Sequence, residues 1–191
     1  MFRAIICFWI ASLLGGGGFA DDQIAIANGQ KEDVITRADL PGFQVIGIGA
    51  RTTNAKEATG DGMIPGQWQK FFQEGNLRKI PNKISGNIYA LYSDYASDHN
   101  GEYDFVIGAM VKEGTLPPPG MVAKNVAGGR FAVLTSEKGP LPKVVPQAWQ
   151  AIFKLEAEKK IQRTYKTDFE IYDQRSQDPQ NAQVDLYVGL K

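Results

Sequence analysis

The residues best suited to chemistry lie near the C-terminus, where Asp168, Glu170 and Tyr172 alternate with Phe169 and Ile171, and Asp185 and Tyr187 alternate with Val184, Leu186, Val188 and Leu190. Alternation of this kind sends successive side chains of a strand to opposite faces. Grouping by polarity puts Phe169 and Ile171 with the aliphatic residues of the last strand, and Asp168, Glu170, Tyr172, Asp185 and Tyr187 together on the other face. Two readings fit that polar face. One is a sheet surface that is polar because water covers it. The other is a pocket in which Glu170 and Asp185 supply negative charge among the rings of Tyr172 and Tyr187, joined by Tyr89, Tyr92 and Tyr103. Such a pocket would attract a lipophilic cation, by Coulomb attraction where water is scarce and by the ring faces. Trp68 and Trp149 are either core residues or further walls of that pocket. A pocket carboxylate within hydrogen-bond reach of a tyrosine hydroxyl would favour chemistry, and one without a second polar partner would favour binding.

Ready-made catalytic sets are absent from the sequence. His99, the single histidine, sits in a predicted turn, and the one cysteine, Cys7, lies in the N-terminal apolar run, so an ordinary zinc site has no ligands. No G-x-S-x-G motif accompanies the histidine, and Asp98-His99-Asn100-Gly101-Glu102 lacks the spacing of a calcium loop. Gly128-Gly129 is not followed by Lys-Ser/Thr, which leaves phosphate binding unsupported. Neither a catalytic residue, a metal ligand nor a cofactor is therefore assigned. The 21 basic and 21 acidic residues balance, and no basic surface of the sort that nucleic acid requires is visible.

The elements that must position these residues come in two copies. Residues 41–110 lie over residues 122–191 at a constant shift of 81, with identities at Gly47 and Gly128, Pro65 and Pro146, Trp68 and Trp149, Phe72 and Phe153, Asp104 and Asp185, and Gly108 and Gly189 among others. Eleven of 70 positions match, where average residue usage gives about 4. Each copy reads as an extended stretch broken by glycine, a helix, and two strands. The helices are expected to open at Pro65 and Pro146. Their buried stripes are Trp68, Phe71 and Phe72, and Trp149, Ile152 and Phe153, at i, i+3 and i+4. Gly75 is expected to stop the first. The whole is an α+β fold: tandem strand-helix-strand-strand units forming an antiparallel sheet, two helices on one face, and a central cleft on the side away from them. Pro117-Pro118-Pro119-Gly120 reads as a stiff connector.

At the N-terminus, Arg3 precedes a largely apolar run from Ala4 to Leu14, then small residues up to Ala20 and a polar Asp21-Asp22. That layout is expected of a signal peptide over residues 1–20, and the run is shorter than the roughly 20 residues of a spanning helix. Export to the periplasm or beyond, with no membrane span in the mature protein and an envelope protein as a candidate partner, is the expectation. Residues 21–39 form a weakly patterned leader, either an edge strand or a mobile segment.

One resemblance bears on function. Ile64-Pro65 with Trp68-Gln69-Lys70-Phe71-Phe72, Ile80-Pro81-Asn82, Ile88 to Tyr95, Asn100-Gly101-Glu102-Tyr103, Pro118-Pro119-Gly120-Met121-Val122, Gly139-Pro140-Leu141-Pro142, Ala148-Trp149-Gln150, and Tyr165 with Asp168 to Asp173 resemble the effector-binding domain of gyrase-inhibitor-like and AraC-type regulators. The likeness covers residues 40–191 and is closest to stand-alone members. It implies a small-molecule binding protein with an acidic residue among aromatic rings between the repeats; the expected signal peptide and the lack of a helix-turn-helix are departures from the family. It implies amphipathic, often cationic ligands. The family's pocket glutamate falls on Asp185, one methylene shorter, and Glu170 matches the acidic position of the preceding strand. Some relatives hydrolyse small molecules with a glutamate and a tyrosine, which is the alternative reading.

Overall fold

Apolar alternation starts before residue 40 and sets the first half of the sheet. The computed structural model describes residues 35–191, so the expected signal peptide and most of the leader lie outside the described residues. Strand β1 (Ile35–Leu40) leads through Pro41-Gly42 into β2 (Phe43–Thr53), so the end of the leader is an edge strand. Short helix α1 (Asn54–Glu57), α2 (Ile64–Gln73) and α3 (Asn76–Lys79) follow, then β3 (Ile88–Ser93) and β4 (Glu102–Val111). After the proline connector come β5 (Val122–Val126), β6 (Gly129–Thr135), α4 (Leu141–Ala157), β7 (Arg163–Tyr172) and β8 (Asp185–Leu190). All eight strands join one antiparallel sheet in the order β1-β6-β8-β7-β3-β4-β2-β5. The α+β class and the twofold strand-helix-strand-strand order expected from the sequence are those the chain adopts.

Helix ends follow local chemistry. Gly75 takes a left-handed φ of 61° just beyond the α2 C-cap and donates its N–H to the Phe72 carbonyl. At the other end α2 has no side-chain cap of its own. The buried Glu57 carboxylate serves instead, accepting from the Met63 and Ile64 N–H groups at 2.8 and 3.1 Å. Helix α4 departs from the expected start: it opens at Leu141 with Pro142 in its first turn, and Pro146 lies inside it. The extra turn buries Leu141, Val144 and Val145, apolar area that offsets the one helical hydrogen bond Pro146 cannot donate. Phe72, expected in the buried stripe, is 49 % exposed and stacks on Trp68.

The constant shift of 81 holds for the helices and for β4 against β8, but not for every strand. Ala90 pairs with Ile107, and Asp168 with Val188, so β3 maps onto β7 at a shift of 78. Gly47 pairs with Gly108, and Phe131 with Gly189, so β2 maps onto β6 at 84. An offset of three is odd, and an odd offset turns a strand over. Tyr92 in the first copy therefore occupies the place of Glu170 in the second.

Beyond the helices the sheet closes on itself. Leu40 pairs with Gly129 and, three residues on, Phe43 pairs with Val126, so β1-β2 and β5-β6 form one crossed ribbon in a single register. The crossing is tight: a Cβ on Gly128 would lie 2.8 Å from the Gly42 nitrogen and 3.0 Å from the Leu40 oxygen. Because the ribbon joins both ends of the sheet, the helix-free side is curled inward and filled. Phe43 and Phe169 sit on strands three spacings apart, ~14 Å across a flat sheet, yet their rings are 5.4 Å apart. The expected cleft away from the helices is thus a second, aromatic core built on Val45, Tyr89, Leu91, Phe131 and Phe169.

Candidate functional site

Strand pairing decides which face each candidate residue takes. Glu170 lies opposite Leu186, and Ile171 opposite Asp185, so Glu170 and Tyr172 share the face of Leu186 and Val188. That is the face under α2 and α4. Grouping β7 by polarity therefore assigned it backwards: its carboxylates, not its apolar residues, point toward the helices, because protein donors replace water there. Of the eight candidates, Glu170, Tyr172, Tyr92, Trp149 and Trp68 come together. Asp185, Tyr187 and Tyr89 lie on the opposite face. Asp185 is engaged there by the Arg175 guanidinium at 2.5 Å and the Thr135 hydroxyl at 2.7 Å, and Tyr187 stacks on Phe169.

Glu170 is 1 % exposed. Its carboxylate accepts from the Trp149 indole N–H at 2.6 Å, the Tyr172 hydroxyl at 2.6 Å and the Tyr92 hydroxyl at 2.9 Å. All three donors are neutral, and no cationic side chain among the described residues forms an ion pair with it. Burial pushes the Glu170 pKa up, and the three donors, Trp149 foremost, oppose that only in part. From one helix to the other the contacts run Trp68, Tyr172, Glu170, Trp149. The Trp68 and Tyr172 rings meet edge-on at 4.9 Å, and Tyr92 meets Trp149 edge-on at 5.2 Å.

A second buried carboxylate stands beside it, and sequence reasoning did not single it out. Asp168 is 0 % exposed and takes the Arg163 guanidinium at 2.5 Å, the Tyr95 hydroxyl at 2.9 Å and the Gly189 N–H at 2.9 Å. Residues five apart on a regular strand point to opposite faces. Arg163 and Asp168 meet because β7 is irregular between them, with Tyr165 at a left-handed φ of 53°. Gly189 leaves room for that bulge, since a Cβ there would sit 2.6 Å from the Thr164 hydroxyl. Burial acts most strongly to lower the Arg163 pKa, but Asp168, Tyr95 and Tyr165 together outweigh it and the net direction is up. Its guanidinium lies 4.4 Å from the Tyr165 ring centroid, 5.5 Å from Phe153 and 5.8 Å from Trp149. Tyr165 donates to Glu156 at 2.7 Å, and its hydroxyl is 3.2 Å from the His99 Nδ1, so His99 stays in its turn and its ring buttresses this wall. An arginine opening a strand five residues before a buried aspartate was the available signal, and only the bulge gives it meaning.

Among the described residues no group of histidine, cysteine and acidic side chains could hold a metal ion, and no helix is long and apolar enough to cross a membrane.

Comparison with known proteins places this geometry. The chain is 34% identical over 158 residues to YobU of Bacillus subtilis (strain 168), described as a transcriptional regulator protein, covering 82% of this chain and 96% of YobU. It is 36% identical over 155 residues to the transcriptional regulator BrlR of Pseudomonas aeruginosa, 80% of this chain but 53% of BrlR, so it spans about half that relative's length. Among solved structures, the integron cassette protein VCH_CASS2 of Vibrio cholerae superposes with a TM-score of 0.67 at 26% identity, over 82% of this chain and 95% of that one. SAV2435, solved bound to tetraphenylphosphonium, gives 0.67 at 17% identity over 82% and 93% and shows the shared fold. These relatives correct the expectation of a periplasmic or secreted protein. YobU and BrlR are described as regulators of transcription, a task performed at chromosomal DNA. Residues 38–190 match the family described as Cass2, integron-associated effector binding protein, and the chain belongs to that family.

Proposed function

We propose that the chain binds an amphipathic organic cation between α2 and α4, with Glu170 as the counter-charge and Trp68, Trp149, Tyr92 and Tyr172 as the aromatic walls. The observation that carries this reading is a fully buried carboxylate served by three neutral donors and, among the described residues, by no cation. Hydrogen bonds to a carboxylate stabilise its charge locally but leave it uncancelled, and a ligand cation supplies what is missing. The ligand named for SAV2435, a lipophilic phosphonium, is of the class this site suits.

The test is titration with tetraphenylphosphonium, followed by calorimetry and by the fluorescence of Trp68 and Trp149. Glu170→Gln keeps the shape and removes the charge, and it is expected to weaken binding tenfold or more, about 1.4 kcal/mol. Because the free carboxyl titrates above its usual range, binding displaces a proton below that raised pKa. Affinity therefore falls about tenfold for each pH unit of acidification there and levels off above it. Affinity indifferent to both the substitution and pH would refute the reading.

A specific observation favours a second reading, hydrolysis: two tyrosine hydroxyls lie within 2.9 Å of Glu170. A general base needs a lone pair free for a water, and this carboxylate, with three bonds accepted, keeps only one of its about four acceptor positions. Turnover of small esters that is lost in Glu170→Gln would decide for the enzyme.

A further inference from the structure

Two carboxylate boxes lie side by side on one face of β7, two residues apart, and they are filled differently. Around Glu170 the box is aromatic and, among the described residues, holds no cation. Around Asp168 it is aromatic too, and the chain's own guanidinium occupies it: Arg163 is 1 % exposed at its side chain, bonded to Asp168 and ringed by Tyr165, Phe153 and Trp149. Trp149 is the partition. Its N–H edge points to Glu170 while its ring lies against Arg163.

We infer that Arg163 is a specificity-determining residue that limits the site to ligands carrying one positive charge. The inference rests on the proposed cation site and says which cations it takes. Arg163 also pairs with Glu156 at 3.5 Å, but the Glu156 side chain is 22 % exposed, so among the buried groups the Arg163-Asp168 pair is neutral as a unit and the two boxes together offer one uncancelled negative charge. A second cationic centre on the ligand would come up against the guanidinium with no carboxylate left for it, and like charges repel strongly where water is excluded. The bulge at Tyr165 is what allows this, by turning Arg163 onto the face of Asp168. A regular strand would leave two open carboxylates and a site for dications.

The probes are N-methyl-4-phenylpyridinium and methyl viologen, which share one biaryl frame and carry one and two charges. Residues two apart on a strand are separated by ~6.6 Å, close to the spacing of the two viologen nitrogens. Calorimetry on the wild-type chain is expected to show the monocation bound at least tenfold more tightly. Arg163→Met should shrink or reverse that ratio by tenfold or more, and Arg163→Met with Asp168→Asn should cancel the gain in viologen binding. If Arg163→Met does not fold by itself, Arg163→Gln takes its place: equal or tighter viologen binding by the wild type overturns the inference, as does an unchanged ratio in the single variant that folds. If neither probe binds the wild type, or if Glu170→Gln leaves monocation binding intact, the underlying cation site has failed. Monocation binding that needs Glu170 but shows no discrimination by charge sinks only the role of Arg163.

Discussion

Glu170 combines a functional asset with a structural cost at one atom group. A carboxyl whose pKa is raised in the folded chain contributes stability that is fully present below its unfolded value of about 4.3 and is lost as pH rises through the folded value. Above that folded value the protein therefore carries a charge it would fold better without. Glu170→Gln should melt higher than wild type on the alkaline side of that value, and the gap should close as the pH falls through it toward 4, measured by thermal denaturation against pH. Such a variant, more stable and blind to cations, is the expected signature of a site kept for its ligand. The sequence made Glu170 a candidate but hid its face. Both faces of this sheet are buried, so β7 has no wet side, and polarity alone could not tell Phe169 from Glu170 as the residue under the helices.

Elements explain which side chains can be where they are. Helix α2 carries Trp68, and its start depends on a carboxylate from outside the helix, Glu57, which Gly62 lets approach: a Cβ on Gly62 would lie 2.5 Å from the Glu57 Oε2. Glu57→Ala should cost about 1–2 kcal/mol, the scale of a lost cap plus its charge at a helix N-terminus, or ~2–4 °C in Tm per kcal/mol for a chain of this size. A weaker ligand response should accompany it as Trp68 loses its footing. The aromatic spacing and the Gly75 stop were legible in α2 because both are local signals. Neither the Glu57 cap nor the β7 bulge was, since each depends on a group brought in from another turn of the chain.

At the scale of the molecule, the crossed ribbon ties residues near 40 to residues near 127 and turns an open sheet into a curled one. Gly128→Ala would push a Cβ against two backbone atoms that cannot swing aside. It should cost about 1–3 kcal/mol, as overpacking does, and the amides of β1 and β5 should lose hydrogen-exchange protection together while β3 and β7 keep theirs. The repeat itself was readable from the 81-residue shift, but its three-residue offsets in β3-β7 and β2-β6 were not, because gaps inside loops leave no mark on a gapless alignment.

Those offsets put Tyr92 and Glu170 at corresponding places on the two central strands, 2.9 Å apart from hydroxyl to carboxylate. In a homodimer of identical units the two positions would have to carry the same residue. A pair of glutamates at that separation would share one proton and titrate as a dyad, whereas two tyrosines would carry no charge. Fusing the units into one chain removes that obligation: one position is an acid and its mate is the phenol that donates to it. A single, unshared charge near the axis of a body with near-twofold order is something only the covalently joined form can hold.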